Sequence, residues 1–165
     1  MEEETRGEPG AVALANARRK ALAVYGELVL GADTIVALDG EILGKPAGAR
    51  QARQYLARLA GRRHEVVGGI ALASRGAVAA SGVVVTDVEF RDVGPELLDW
   101  YVGTGEWEGR AGGYAIQGRG AALVAGVSGD YLNVVGLPVA RLLELWPSLL
   151  PGADRRRSDP SGRTT

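Results

Sequence analysis

The stretch from Leu28 to Leu38 most constrains the fold, because it is a near-continuous apolar run containing β-branched residues. Such a run is typical of a β-strand that is buried on both faces of a sheet. Asp39-Gly40 follows it as a two-residue hairpin signal, so Glu41–Leu43 is predicted to fold back beside the strand. The chain is therefore expected to build a sheet that other elements cover.

Two polar residues, Asp33 and Thr34, interrupt this apolar run. A buried charge without partners is costly, so Asp33 must meet a cation, a metal or water in a cleft. Catalysis and a structural carboxylate that caps a loop are equally compatible with this position. Strand neighbours point to opposite faces, so a bulge or a strand end is expected if Thr34 reaches the same ligand; otherwise it is a β-branched strand residue.

The remaining periodicity predicts helices that alternate with strand pairs. Helices are predicted over Ala11–Tyr25, Ala49–Ala60 and Pro95–Val102, and from Pro138 through residue 146. Strands are predicted over His64–Ser74, Ala77–Val93, Ala121–Val127 and Tyr131–Val135, with turns at Arg75-Gly76 and at 128–130. This order indicates an α/β fold with a mixed, partly antiparallel sheet flanked by helices.

Length and composition favour a single globular domain. The 165 residues suit one core, which we assign to residues 1–148, and the polar end at 149–165 is expected to be disordered. Hydrophobic residues make up 46% of the chain and charged residues 24%, which is ordinary for a folded protein.

Charge and residue content exclude several classes of function. The net charge of −1 provides no basic excess for nucleic-acid binding. The absence of cysteine excludes disulfides, thiolate nucleophiles and sulfur-based zinc sites. Apolar runs fall short of the roughly 20 residues that cross a bilayer, and the start is acidic, unlike a signal peptide. We therefore expect a cytoplasmic protein without a membrane partner.

Two further segments carry candidate binding residues. Lys45 lies between Gly44 and Pro46, where it is either a solvated loop residue or a phosphate ligand. Gln117 lies in the glycine-rich segment Ala111–Gly120, and its amide can match both donor and acceptor edges of a base, although the residues alone favour an ordinary loop residue. His64 is expected to pack or to bond locally.

Four ordered segments, GADTIVALDGEILGKP, GRRHEV, AGGYAIQGRG and GDYLNVVGLP, resemble the Maf family of nucleoside triphosphate pyrophosphatases, once named septum-formation inhibitors. The resemblance extends from Glu2 to Trp146. It implies hydrolysis of a nucleoside triphosphate between its α and β phosphates, which releases a monophosphate and pyrophosphate. It also implies a divalent metal cation, Mg²⁺, Mn²⁺ or similar, as cofactor.

The resemblance also implies roles for individual residues. Asp33 matches the proton acceptor that activates water. Thr34 and Gln117 resemble the pair found in the group that acts on dTTP and UTP. Phosphate-side lysines and an acidic site residue of the family match three further positions: Lys20, Lys45 and Glu3.

One departure from the family pattern concerns the start of the chain. Family members begin with a strand and a Ser-x-Ser-Pro-Arg-Arg loop that grips the phosphates, and no segment here matches it. We expect a truncated gene model and a longer native protein. The alternatives are a catalytically impaired nucleotide-binding regulator of septum formation and a nonfunctional fragment. Expected partners are a nucleoside triphosphate, no nucleic acid, no membrane and, as an open option, a second copy in a homodimer.

Overall fold

The structure, a computed structural model, describes residues 5–151. Within that range the helices are α1 Pro9–Leu22, α2 Ala49–Leu59, α3 Pro95–Gly103, α4 Tyr131–Val135 and α5 Val139–Leu145. The strands are β1 Val29–Leu38, β2 Glu41–Leu43, β3 Arg63–Ser74, β4 Ala77–Phe90 and β5 Val124–Ser128. The predicted α/β class, with a sheet flanked by helices, is confirmed.

The five strands form one sheet in the order β2-β1-β3-β4-β5. Every pairing is antiparallel, so the mixed sheet that we predicted has no parallel pair within residues 5–151. Tight hairpins account for two of the four pairings, β1–β2 and β3–β4, because they join strands that are neighbours in the sheet. Their turns have positive φ angles at Asp39 (52°) and Gly40 (80°), and at Arg75 (49°) and Gly76 (83°), as primed two-residue turns require.

Small residues line the sheet face that α1 covers. This helix packs across β1, β3 and β4. A Cβ on Gly31 would overlap the carbonyl oxygen of Ala17, and a Cβ on Gly69 would overlap that of Ala13. The absence of side chains at these two positions therefore allows the backbone of α1 to lie directly on the sheet.

The opposite face carries the larger core. Helices α2 and α3 cover one part of it, and α4 and α5 cover another. Its largest fully buried side chains include Tyr101, Phe90, Leu38, Leu56 and Leu123. The bulk of the apolar burial therefore lies on the side of the sheet opposite α1.

The predicted return strand at Tyr131–Val135 is wrong, because this segment is helix α4. The carboxylate of Asp130 accepts hydrogen bonds from the backbone N–H groups of Leu132 (2.8 Å) and Asn133 (3.3 Å). This N-cap starts a helix in spite of the β-branched residues that follow. Gly136, with φ of 136°, ends the helix.

Other boundaries shift for local reasons. The strand predicted from Ala121 begins at Val124, because Arg119–Leu123 forms a 3₁₀ turn. Helix α1 starts before Ala11, since Glu8 caps it by accepting from the N–H groups of Gly10 and Ala11. Pro147–Leu149 forms a further 3₁₀ turn. Of the tail at 149–165 that we expected to be disordered, residues 152–165 lie outside the described residues.

No helix within residues 5–151 has the length and apolar character that spanning a bilayer requires.

Candidate active site

A cavity of about 450 Å³ opens where β1 meets the loop that follows α3. Five of the six site residues predicted from the sequence line it together: Lys20, Asp33, Thr34, Lys45 and Gln117. Glu3, the sixth, lies outside the described residues. Residues from a helix, a strand and two loops thus converge on one cleft.

Asp33 is the buried carboxylate of the cleft, with 8% of its surface exposed. Its Oδ1 lies 2.7 Å from the ammonium of Lys20, and its Oδ2 accepts a 3.0 Å hydrogen bond from the amide of Asn16. Asn16 and Lys20 are four residues apart on α1, so they share one helix face. An ionised carboxylate has about four acceptor positions, so Asp33 can still bind a water or a cation.

Thr34 reaches the cleft by a route that we did not predict. The pairing of β1 with β3 is continuous, with Asp33 opposite Gly69 and Thr34 opposite Gly68, so β1 contains no bulge. Instead, β2 pairs with β1 only at Val36–Leu38, and the cleft lies along the margin of β1 beyond that pairing. Side chains from both faces of the strand can therefore border the same cavity.

The cleft carries more positive than negative side chains. Lys45 is exposed at the corner after β2, and Arg110 is exposed on the facing loop. The N–H of Gly112 donates to the carbonyl of Gly44 at 3.1 Å, which ties the Lys45 corner to that loop. Cations that face a common cavity suit phosphate oxygens. Our sequence reasoning missed Arg110.

Glu106, a second residue that sequence reasoning missed, braces the backbone just after Gln117. Its two carboxylate oxygens accept from the N–H groups of Arg119 and Gly120, each at 2.9 Å. Burial would raise the pKa of Glu106, but these hydrogen bonds outweigh it and lower the pKa. Both partners lie within three residues of Gln117, so Glu106 helps to fix the backbone position from which the Gln117 side chain extends.

Two tyrosines hold the other side of this loop. Tyr101, fully buried at the end of α3, accepts from the N–H of Ala115 at 3.1 Å. The hydroxyl of Tyr114 lies 2.7 Å from Nε2 of His64, so His64 packs as expected but bonds to a distant residue rather than locally. Burial lowers the pKa of His64 to about 4, which keeps the ring neutral at neutral pH.

Asn133, to which we assigned no catalytic role, is a structural tie between α4 and the sheet. It is fully buried and donates to the carbonyls of Val66 (3.0 Å) and Val84 (3.2 Å) on adjacent strands. Val134 and Val135, the next two residues, form part of the cleft wall. The position of that wall therefore depends on the anchoring of Asn133.

Comparison with known proteins identifies the family of this chain. The family model described as Maf-like protein matches residues 1–148 of the chain. This chain belongs to the Maf family. The resemblance seen in the four sequence segments is thereby confirmed.

Several relatives of this Maf protein are named dTTP/UTP pyrophosphatase. The relative from Anaeromyxobacter sp. (strain Fw109-5) is 53% identical over 144 residues, which cover 84% of this chain and 70% of the relative. That from Symbiobacterium thermophilum is 49% identical over 134 residues, covering 81% and 69%. That from Pyrococcus abyssi is 46% identical over 137 residues, covering 81% and 73%.

The donor set of this Maf protein fits a divalent cation only in part. Residues 5–151 contain no group of three or more His, Cys, Asp or Glu side chains that could hold a metal ion. Mg²⁺, however, is commonly bound through one or two carboxylates together with substrate phosphates. Asp33 can supply one such carboxylate in the cleft. The residues therefore fit a cation shared with the phosphates of a nucleotide.

Proposed function

We propose that this Maf protein hydrolyses dTTP and UTP to the monophosphate and pyrophosphate. Its relatives are named dTTP/UTP pyrophosphatase, which supports the proposal. One observation carries the proposal. A buried carboxylate, Asp33, is held between Lys20 and Asn16 in a cleft that also contains Lys45 and Gln117. Such a cleft offers a general base, two cations that can bind phosphate and an amide that can bind a nucleobase.

Asp33 acts as the general base. It accepts a proton from a water molecule while the oxygen of that water attacks the α phosphorus. The bridging P–O bond breaks, and the pyrophosphate leaves with the electron pair. Lys20 and Asn16 orient the carboxylate through its two oxygens. Because Asp33 is only 8% exposed, few water molecules other than the attacking one can bind its carboxylate oxygens.

Lys20 and Lys45 offset the negative charge that the phosphates carry in the ground state and the transition state. A divalent cation, held by Asp33 together with the phosphates, supplies further charge neutralisation when it is bound. Among residues 5–151, Asp33 is the residue that we propose as a ligand of this cation.

Thr34 and Gln117 select the nucleobase of the substrate. A primary amide carries one acceptor and two donors, and a hydroxyl can donate or accept, so the pair can match the donor and acceptor groups of a pyrimidine ring. We further propose that the protein acts in the cytoplasm as a house-cleaning enzyme for pyrimidine nucleotides. No observation favours a purely regulatory role over hydrolysis.

A substrate panel tests the proposal. The full chain is incubated with dTTP, UTP, CTP or dGTP, with Mg²⁺ or with a chelator, and pyrophosphate release is measured. We expect turnover of dTTP and UTP to exceed that of dGTP by at least about 10-fold, and to require the cation. Absence of pyrophosphate from every nucleotide, or release of orthophosphate alone, would contradict the proposal.

A further inference from the structure

The loop that presents Gln117 is held on both sides by side chains from one short stretch of the chain. Before Gln117, the hydroxyl of Tyr101 accepts from the N–H of Ala115 at 3.1 Å. After it, the carboxylate of Glu106 accepts from the N–H of Arg119 at 2.9 Å. Gln117 itself is exposed in the cleft, so its flanking backbone decides where its amide can reach.

These two anchors hold one continuous stretch of backbone, residues 115–120, and are called the Tyr101–Glu106 network below. Burial raises the pKa of the Tyr101 hydroxyl, and its interaction with the nearby carboxylate of Glu106 raises it further. Tyr101 is fully buried and belongs to the main core cluster. A bond to such a residue attaches the Gln117 loop to the rigid part of the fold rather than to another loop.

The glycines around Gln117 fit the same network. A Cβ on Gly118 would overlap Oε1 of Glu106, and a Cβ on Gly120 would overlap the carbonyl oxygen of Ala115. The loop backbone therefore lies directly against the carboxylate that braces it. Gly118 has a φ of −109°, so space, not backbone strain, is what a side chain would lack there.

We propose that Tyr101 and Glu106 are positioning residues that hold Gln117 ready to read a pyrimidine base. This inference rests on the proposed function. The network acts through the backbone, because both oxygens of Glu106 accept from backbone N–H groups. Ordering the loop before binding removes an entropic cost that each nucleotide would otherwise have to overcome, and it restricts the amide to one geometry.

Glu106→Gln is the first test. The glutamine oxygen can accept one backbone N–H, but its amino group cannot accept the other, so one anchor is lost with little change in shape. We expect the preference for dTTP over dGTP, measured as the ratio of kcat/KM values, to fall about 10-fold, the scale of one charge-assisted hydrogen bond. The variant should raise KM for dTTP more than it lowers kcat. Glu108→Gln, an exposed carboxylate on the same loop, is the control and should leave the ratio unchanged.

Gly118→Ala tests the same network from the backbone side. The new methyl group would displace the carboxylate of Glu106, so we expect the same loss of preference. The double variant should be no worse than either single variant, because both changes break one interaction. Amide hydrogen exchange should also be faster at residues 115–120 in each variant.

An unchanged preference in both single variants would overturn the inference, and so would an equal loss toward dTTP and dGTP. If the wild-type chain binds dTTP without hydrolysing it, the proposed function fails. The preference is then measured as a ratio of Kd values by calorimetry, with the same expected 10-fold change. Equal wild-type affinity for dTTP and dGTP would overturn the inference in that case.

Discussion

The two ends of the cleft are built by different means. At the strand end, Asp33 lies within the sheet, where a salt bridge and a hydrogen bond from α1 hold its carboxylate. At the loop end, Gln117 is exposed, and hydrogen bonds hold the backbone on either side of it. One group is fixed by burial and charge, and the other by the shape of a loop.

This difference indicates that chemistry and selection can fail separately. A change at Asp33 should remove hydrolysis of every nucleotide while the loop stays intact. A change in the Tyr101–Glu106 network should alter which nucleotide is preferred, while the catalytic carboxylate of Asp33 remains in place. The following predictions test whether the two ends are independent in this way.

Asp33→Asn is expected to have the largest effect. An amide cannot accept the proton of the attacking water, so kcat should fall by about 10²- to 10⁴-fold. The ratio of Kd values for dTTP and dGTP should stay unchanged, because the loop end is untouched. Pyrophosphate release and calorimetry measure the two quantities.

Asp39→Asn is the matched control for that variant. It alters an exposed carboxylate at the end of the same strand, which pairs with the surface residue Arg62, and it should retain full activity. Wild-type turnover in Asp33→Asn would show that another group activates water, and the comparison between the two ends would lose its basis.

Gly31→Ala should produce the next largest effect, on stability. The added methyl group would overlap the backbone of Ala17 and Ala21, which cannot move without displacing α1. We expect the free energy of unfolding to fall by about 3 kcal/mol or more, as overpacking predicts. Urea denaturation followed by circular dichroism measures this change.

The control for overpacking is Gly126→Ala in β5, where an added Cβ would have no neighbour within 4 Å. It should change stability by less than about 0.5 kcal/mol. Equal stability of Gly31→Ala and Gly126→Ala would show that α1 does not rest on the sheet as closely as described. The position of Lys20 would then need another explanation.

The smallest effect concerns His64, which bonds to Tyr114 beneath the loop end. The folded ring takes a proton only near pH 4, against 6.5 for an unperturbed histidine. Between these values the unfolded state binds more protons, so stability is complete above the higher value and falls as the pH decreases. The expected loss between about pH 7.5 and about pH 5 is about 2 kcal/mol.

His64→Gln separates this contribution from that of the carboxylates. The variant lacks the titrating ring, so wild type should lose about 2 kcal/mol of unfolding free energy relative to the variant between about pH 7.5 and about pH 5. Urea midpoints at both pH values provide the measurement. Parallel pH curves for the two proteins would contradict the neutral, buried state of His64.

Local signals in the sequence predicted much of the fold. The Asp39-Gly40 and Arg75-Gly76 turns placed two hairpins correctly, because each turn fixes the register of its strands. The amphipathic spacing of α2 placed that helix nearly to its ends. The segment after Asp130 was misread, since the preference of valine for strands was overruled by an N-cap.

The site was predictable where a polar residue stood in an apolar context. Asp33 stood out for that reason, and Asn16 could have, because it lies four residues before Lys20 on the buried face of α1. Tyr101 and Glu106 could not be found in this way. Their partners lie more than ten residues away along an irregular loop, and no periodicity encodes such a contact.

The Tyr101–Glu106 network also bears on how nucleotide preference could change in evolution. Both anchoring side chains and all the backbone groups that they hold lie between residues 101 and 120. Asp33, Lys20 and Lys45 lie outside that stretch. The positioning of Gln117 can therefore be inherited, exchanged or lost as one contiguous segment, whereas Thr34 is tied to the strand that carries Asp33.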